Sequence, residues 1–357
     1  MAETDKVPGD KIAVQVDGRS LALTNLAKVL YPTDGFTKAE VLDYYQRISP
    51  VLLPHIAGRP MTLRRFPHGV GDLSFFEKHA PAHRPDWVRT EEVVSRSSRS
   101  RSPGETISYL VIDDLPSLIW VINLAALELH VPMWRFPGPA TTTTGTTTTG
   151  TGTTTTGTGT GTTGTGTTTT GTGTTGTTGS TGTSGASAAE PYGAADPDLL
   201  VFDLDPGAPA TIVECCRVAE ALRPALEADG LRPLPKTSGG KGLQLYASLS
   251  GRTAEQASEL ALGYAQRFER ELPRLVVSRM TKSARPGKVL IDWSQNNGSK
   301  TTIAPYSLRA RDLPTVSTPV TWDEVGACRS PQDLVFTAPD VLVRVEAHGD
   351  LFAPLVS

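Results

Sequence analysis

The sequence has few of the features that would place it in a specialised class of protein. Cysteine occurs only at positions 215, 216 and 328. The spacing of these cysteines is not that of a metal site, which predicts a protein of the reducing cytosol. Residues 1–7 are polar and acidic and lack the apolar core of a signal peptide. The longest apolar stretch, 115–129, is too short and too interrupted to span a bilayer.

Charge of one sign does not dominate the chain either. It holds 34 Lys and Arg residues against 37 Asp and Glu residues, a formal net charge of −3. This balance does not indicate a nucleic-acid-binding protein. It does not exclude one, because a local basic groove can lie in a neutral protein.

The stretch from Thr141 to Gly185 has no aliphatic, aromatic or charged side chain, since its 45 residues are 29 Thr, 14 Gly and 2 Ser. Such a stretch cannot bury enough apolar area to offset the entropy of ordering it, so we predict a flexible, disordered segment. It is either a linker between two domains or an insertion within one. The rest of the chain has the composition of a soluble globular protein.

Outside this tract, the residue patterns predict a mixture of helices and strands. A capping box at Thr37–Glu40 starts a helix that we expect to end by Pro50. The other predicted helices are 115–127, 211–227 and 254–272, and the main predicted strands are 199–205, 243–247 and 289–293. This mixture predicts an α+β or α/β fold with a mainly antiparallel or mixed sheet.

Two carboxylates lie at the end of a predicted strand, in the segment Val201–Gly207. Residues two apart point to one face of a strand, so Asp203 and Asp205 lie side by side. Like charges at that spacing are costly unless a cation lies between them, and hard ions such as Mg²⁺ and Mn²⁺ prefer oxygen ligands. The pattern favours a metal site over a strand-end turn with two solvated carboxylates.

A Gly-rich turn follows at Lys236–Gly242. Its glycines let the backbone approach an anion closely, while Ser238 offers a hydroxyl and Lys241 a charge. The spacing is not that of a Walker A loop. An ordinary hairpin turn with a surface lysine is the equally weighted alternative.

Asp292 ends another strand and is surrounded in sequence by cations, which are Arg285, Lys288, Lys300 and Arg309. Such cations would neutralise a triphosphate, and a third carboxylate could complete a metal cage. Together the three segments indicate phosphoryl or nucleotidyl transfer with two metals. Phosphatases of the haloacid-dehalogenase type also have a strand that ends in Asp-x-Asp. That class favours a hydroxylic residue soon after the second Asp, where this chain has Pro206 and Gly207.

Several long phrases, in order along the chain, resemble the polymerase domain of bacterial ligase D, a branch of the archaeo-eukaryotic primase superfamily. These phrases are LTNLAKVLYP, LLPHIAGRPMTLRRFPHGV, FFEKHAP, LELH, LVFDLDPG, KTSGGKGL, IDWSQNNGSKTTIAPYSLRAR and TPVTWDEV. The resemblance implies a primase-polymerase fold, with a mixed or antiparallel catalytic sheet (an RRM-like palm) flanked by helices. It leaves no room for the ligase and nuclease domains of ligase D, so we expect a stand-alone polymerase.

The same resemblance implies a role for each candidate residue. Asp203, Asp205 and Asp292 would be the catalytic, metal-binding triad for two Mn²⁺ or Mg²⁺ ions. The nucleotide would be bound by Ser238, Lys241, Arg285, Lys300 and Arg309, with His130 near its sugar. The implied reaction is templated nucleotide addition to a 3′ end during non-homologous end joining. Ku and a separate DNA ligase are the implied partners, in the cytoplasm at the bacterial nucleoid.

The N-terminal part would bind DNA on this reading. Asn25, Lys28 and Lys38 match the family's pocket for a 5′-phosphate at a gap or break, and we expect the N-terminus of the capped helix to help hold that anion. Phe75 and Phe76 match an aromatic pair that stacks on template bases. In a strand these two neighbours cannot both face the core.

One position departs from the family pattern. Gln244 stands where the pattern usually has histidine, and glutamine cannot be protonated at neutral pH. We therefore expect reduced or altered activity, with a non-catalytic module that binds DNA 5′-phosphate ends and recruits Ku or a ligase as the alternative function. Since His130 precedes the Thr/Gly tract and Asp203 follows it, we expect residues 1–357 to form a single catalytic domain with 141–185 as an insertion.

Overall fold

A computed structural model describes residues 11–94, 106–137 and 195–356. Its strands are β1 (Lys11–Val16), β2 (Arg19–Thr24), β3 (Val29–Tyr31), β4 (Phe36–Thr37), β5 (Thr62–Arg65), β6 (Phe75–Glu77), β7 (Thr90–Val94), β8 (Thr106–Leu110), β9 (Ala126–Val131), β10 (Leu199–Pro206), β11 (Leu234–Thr237), β12 (Leu243–Ser248), β13 (Val276–Val277), β14 (Val289–Asp292) and β15 (Thr302–Ile303). Its α-helices are α1 (Lys38–Ile56), α2 (Leu115–Asn123), α3 (Ile212–Ala228), α4 (Ala254–Glu271), α5 (Trp322–Ala327) and α6 (Ala338–His348).

Threonine side chains cap the first turns of the long helices. Thr37, Thr211 and Thr253 each form a capping box at the start of α1, α3 and α4. A capping box satisfies backbone N–H groups that have no partner within the helix, which fixes where the helix begins. The helix start predicted at Thr37–Glu40 is confirmed.

The prediction that this first helix ends by Pro50 is wrong, because α1 continues to Ile56. Proline has no N–H, so Pro50 cannot donate to the carbonyl of Gln46 one turn earlier. The hydroxyl of Ser49 donates to that Gln46 oxygen instead, at 2.8 Å. The side chain thus replaces the hydrogen bond that proline removes.

The helix predicted to reach residue 127 ends at Asn123. The side chain of Asn123 accepts from the N–H of Thr24 and donates to the carbonyl of Ala22, both on β2. Ala125 then adopts a positive φ of 60°, and β9 begins at the next residue. Bonds to a neighbouring strand therefore end this helix earlier than its apolar sequence suggests.

Two sheets position the candidate residues. The first sheet has the strand order β11-β12-β10-β14-β13 and is antiparallel except for the parallel pair β13 and β14. The second sheet has the order β15-β9-β5-β6 and is antiparallel. Hairpins β1-β2, β3-β4 and β7-β8 complete the described strands. The predicted α+β fold with a mixed or antiparallel sheet is confirmed.

Each sheet has its own hydrophobic core. Helices α1 and α2 pack with the second sheet around Leu52, Leu118 and Leu129, whereas α3 and α4 pack on the first sheet around Phe202 and Leu222. No helix in the described part of the chain is long and apolar enough to cross a membrane.

The described segments on either side of the Thr/Gly tract contact each other directly. The N–H of Asp198 donates to the carbonyl of Met133 at 3.0 Å, and buried Arg59 donates through two nitrogens to the Asp198 carboxylate at 2.6 and 2.7 Å. The described residues before and after the tract belong to one compact unit. The tract itself, residues 141–185, lies outside the described residues.

Candidate nucleotidyl-transfer site

The three candidate aspartates meet on one face of the first sheet. Asp203 and Asp205 alternate with buried Leu204 along β10 and therefore share a face. The antiparallel register places Asp203 directly opposite Asp292 on β14. Directly opposed residues of an antiparallel pair point to the same side, so all three carboxyl groups line one surface.

Burial and neighbouring carboxylates raise the pKa values of Asp203 and Asp205. Burial is the main cause of the raised pKa of Asp203, and the neighbouring charges of Asp205 and Asp292 add to it. Burial also raises the pKa of Asp205, together with Asp292, while Arg285 and Arg309 act in the opposite direction. A divalent cation would relieve this repulsion, and carboxylate oxygens are the ligands that Mg²⁺ and Mn²⁺ prefer.

The three carboxylates do not form a ready-made cage. With the side chains as they stand in residues 11–94, 106–137 and 195–356, no group of three or more His, Cys, Asp or Glu is arranged to hold a metal ion. Asp292 caps the following 3₁₀ turn, where its oxygens accept from the N–H and hydroxyl of Ser294 and from the amide of Gln295. The donor chemistry fits a divalent cation, but Asp292 is occupied by its own turn.

The Gly-rich turn lies beside these carboxylates because it joins β11 to β12. A Cβ placed on Gly242 would lie 2.4 Å from the carbonyl oxygen of Leu204 and 3.5 Å from Oδ1 of Asp205, so only glycine permits this approach. The Ser238 hydroxyl oxygen accepts from the N–H groups of Gly240 and Gly242 at 3.2 and 3.1 Å. Those two N–H groups thus converge on one oxygen.

The candidate cations lie around the same region, and they differ in how firmly hydrogen bonds hold their side chains. Arg309 donates to the carbonyl of Ser238 at 3.1 Å, and Lys300 donates to the hydroxyl of Ser294, the residue bonded to Asp292. Arg285 lies against Gly207, where a Cβ would be 2.1 Å from the Arg285 carbonyl oxygen. Lys241 is exposed at the tip of the turn.

Gln244 connects this site to a lysine that the sequence patterns did not single out. Its amide nitrogen donates to Oδ1 of Asp203 at 2.9 Å, and its amide oxygen accepts from Nζ of Lys236 at 2.5 Å. Lys236 is fully buried and also donates to the hydroxyl of Ser317 at 2.6 Å. Since lysine only donates, it fixes which end of the amide faces Asp203. Lys236 and Gln244 are register partners on β11 and β12, a pairing that no local pattern in the sequence marks.

His130 lies on β9 of the second sheet. Its Nε2 is 3.0 Å from Oε2 of Glu128, two residues earlier on the same face, and its ring meets that of Phe76 edge to face at 5.5 Å. Burial lowers the pKa of His130, and Glu128 opposes that shift. His130 thus belongs to a network with Glu128 that sequence reasoning missed, although both stand in the phrase LELH.

The three residues expected at a 5′-phosphate also come together. The N–H of Lys28 donates to the carbonyl of Asn25, and the N–H of Lys38 donates to the carbonyl of Lys28. Buried Lys38 extends its ammonium to the carbonyl of Thr24 at 2.6 Å. Burial, followed by the nearby Lys28 charge, lowers the pKa of Lys38 to about 8.

That the N-terminus of α1 helps to hold this anion stays a prediction. Its first N–H groups are already bonded, that of Lys38 to Lys28, that of Ala39 to Leu26 and that of Glu40 to the Thr37 hydroxyl. The helix dipole, the lysine side chains and Asn25 are therefore better placed to attract an anion than these N–H groups.

Phe75 and Phe76 both face solvent. They are 44% and 59% exposed on the edge strand β6, beside Leu73 at 82%. Arg65 lies 5.2 Å from the ring of Phe75, and Arg64 lies 5.4 Å from that of Phe76. Because neighbouring residues of a strand point to opposite faces, the two rings lie on opposite sides of β6, each exposed beside an arginine and each able to stack on a base.

The chain is similar to a known family of proteins. The family model described as "LigD, primase-polymerase domain" matches residues 37–147 and 183–352. The chain is 39% identical over 338 residues to the multifunctional non-homologous end joining protein LigD of Mycolicibacterium smegmatis, covering 93% of this chain and 36% of that protein. It is 26% identical over 331 residues to the bifunctional LigD of Bacillus subtilis, covering 92% of this chain and 43% of that protein.

A solved structure is similar over its whole length. The polymerase domain from Mycobacterium tuberculosis Ligase D, in complex with DNA, superposes with a TM-score of 0.75 at 38% identity, covering 94% of this chain and 98% of that one. The chain spans little more than a third of the length of the mycobacterial relatives, 36% of the M. smegmatis protein.

Proposed function

Because the chain belongs to the LigD primase-polymerase domain family, we propose that it adds nucleotides, directed by a template, to 3′ ends at DNA gaps and breaks. The observation that carries this proposal is the juxtaposition of Asp203, Asp205 and Asp292 on one face, beside the Gly-rich turn and its cations. Solvated carboxylates of a simple turn would not be held opposite one another in this way.

In the proposed chemistry the three carboxylates would hold the metal ions. A divalent cation, Mn²⁺ or Mg²⁺, held by Asp203 and Asp205 would lower the pKa of an attacking 3′-hydroxyl and neutralise the triphosphate. Asp292 can join them once its carboxylate leaves Ser294 and Gln295. Two such ions would be needed to serve both the attacking and the leaving oxygen.

The chain's own cations would bind the incoming triphosphate. The Ser238 hydroxyl, whose oxygen is held by two N–H groups of the turn, and the Arg309 guanidinium would donate beside Asp205. Arg285 and Lys241 add charge at the rim, and Lys300 adds it next to Asp292 through Ser294. His130, on the other sheet, would contact the sugar.

DNA would be bound by the N-terminal part of the chain. Lys28, Lys38 and Asn25 would hold a 5′-phosphate, and Phe75 and Phe76 would stack on template bases. Ku and a separate ligase are the partners that end joining would require. The solved relative was determined in complex with DNA, which supports this part of the proposal.

We also propose that one catalytic domain spans the Thr/Gly tract. The family model leaves residues 148–182 unmatched between its two matched segments. The contacts of Asp198 with Met133 and Arg59 join the described residues on either side. Both observations support an insertion rather than a linker.

Extension of a gapped duplex tests the proposed function. We expect nucleotide addition in Mn²⁺ or Mg²⁺ that depends on the template and is stimulated by a 5′-phosphate at the far side of the gap. No addition with either metal, together with retained binding of the 5′-phosphate end in both the parent and Asp203→Ala, would favour the non-catalytic end-binding module instead.

A further inference from the structure

Glu128 is a buried carboxylate on β9, with its side chain only 1% exposed. The proposed chemistry does not use it, and it is shielded from solvent. A buried carboxylate is costly unless it is paired and hydrogen-bonded. The partners of the Glu128 carboxylate therefore indicate its role.

The two oxygens of Glu128 have partners on β9, on β5 and in the segment at Arg309 and Ala310. Oε1 accepts from the N–H of Ala310 at 3.0 Å and lies 3.2 Å from Nε of Arg309. Oε2 lies 3.0 Å from Nε2 of His130 and 3.4 Å from the guanidinium of Arg64, which is the register partner of Glu128 on β5. Burial alone would raise the pKa of Glu128, but His130 and Arg309 hold that pKa at about 2.

These partners lead to two parts of the proposed site. Arg309 continues to the carbonyl of Ser238 in the Gly-rich turn, at 3.1 Å. His130 meets Phe76 edge to face, and Arg64 lies against the same ring at 5.4 Å. One carboxylate thus connects the triphosphate side with the side of the sugar and the template.

We propose that Glu128 is a positioning residue that sets the spacing between His130 and Arg309, and so fits the nucleotide's sugar and triphosphate to the site. This inference rests on the proposed function. Glu128 touches no substrate on this account and acts only through the side chains that it holds.

Replacement by glutamine keeps the shape of the side chain and removes its charge. An amide has one acceptor oxygen instead of two, so its NH₂ group must face either Arg309 or the side of His130 and Arg64. For Glu128→Gln we expect KM for the incoming nucleotide to rise about tenfold, the scale of a charge-assisted hydrogen bond, and kcat to stay within about twofold.

The matched control is Glu324→Gln. Glu324 forms a partly buried, two-pronged ion pair with Arg344 and caps α5, away from these residues. We expect this variant to lose thermal stability without a change in the nucleotide KM. The comparison separates loss of a buried ion pair from loss of nucleotide positioning.

A double-mutant cycle and a titration complete the test. Glu128→Gln and Arg309→Met should be non-additive in KM, because contacting residues couple whereas independent ones do not. The groups facing His130 are Glu128, Arg309 and Arg64, so removing the only negative one should lower the pKa of His130 measured by NMR. If Glu128→Gln folds poorly, Glu128→Asp, which keeps the charge but shortens its reach, should show a smaller rise in KM.

An unchanged nucleotide KM in folded Glu128→Gln, additive effects with Arg309→Met, or an unmoved His130 titration would overturn the inference. Failure of the parent protein to add any nucleotide would instead refute the proposed function. The His130 titration does not depend on catalysis, so it would still decide whether Glu128 holds that ring.

Discussion

The amide nitrogen of Gln244 donates a 2.9 Å hydrogen bond to Oδ1 of Asp203, while its amide oxygen is held by buried Lys236. Gln244 is thus a neutral side chain that uses one donor and one acceptor here. A histidine tautomer can present the same pair. We therefore expect Gln244→His to change primer extension in Mn²⁺ by only a few-fold.

Gln244→Leu is the sharper variant, because leucine can neither orient Asp203 nor accept from Lys236. We expect about tenfold slower nucleotide addition and a lower melting temperature, since the buried ammonium loses one of its two hydrogen-bond acceptors. Primer extension and thermal unfolding measure the two effects. Extension by Gln244→Leu at the parent's rate would show that this bond does not matter for Asp203.

The lowered pKa of Lys38 predicts a pH dependence of DNA-end binding. With a pKa of about 8, Lys38 is charged at pH 7 and mostly neutral at pH 9, whereas a terminal phosphate stays doubly charged over that range. Affinity for a recessed duplex with a 5′-phosphate should therefore fall about tenfold from pH 7 to pH 9.

Two controls accompany this measurement by fluorescence anisotropy. A duplex with a 5′-hydroxyl should show a much flatter profile, and Lys38→Arg should remove the pH dependence because arginine stays protonated. Equal pH profiles for the phosphorylated and unphosphorylated ends would contradict a role for Lys38 in binding the phosphate.

The exposed ring of Phe76 predicts a loss of template binding on truncation. Stacking contributes about 1–3 kcal/mol per base, so Phe76→Ala should bind a single-stranded template overhang roughly tenfold more weakly. Leu73→Ala removes a more exposed apolar side chain nearby and serves as the control. Similar losses for both variants would indicate a general apolar surface rather than base stacking.

The contacts of Asp198 with Met133 and Arg59 predict that the Thr/Gly tract can be shortened. Loop-closure entropy changes only logarithmically with length, so replacing residues 141–185 by a short Gly/Ser loop should alter stability by about 1 kcal/mol. Thermal unfolding should stay cooperative and the rate of nucleotide addition should stay within about twofold. Loss of the folded state would show that the tract has a structural role.

The sequence predicted the parts of this site that depend on local periodicity. Alternation along β10 was enough to place Asp203 and Asp205 on one face, and the capping box at Thr37–Glu40 marked where α1 begins. These features depend on neighbours within a few residues, where the spacing rules of strands and helices apply directly.

The missed features depend on contacts between distant residues. Lys236 contacts Gln244 and Ser317. Glu128 contacts Arg64 and Arg309. No local pattern in the sequence connects the members of either group. The continuation of α1 past Pro50 depended on which way the Ser49 hydroxyl turned. Such choices follow from tertiary packing and side-chain orientation rather than from spacing.

Single-turnover nucleotide incorporation into a gapped duplex, comparing the parent with Asp205→Asn, tests the central claim most directly. Asp205 shares its face with Asp203 and lies next to Gly242, and asparagine keeps its size while removing the charge that a divalent cation needs. We predict incorporation by the parent in Mn²⁺, a rate at least about a thousandfold lower for Asp205→Asn, and unchanged binding of the DNA. Equal rates for the two proteins, or no incorporation by the parent, would contradict the account.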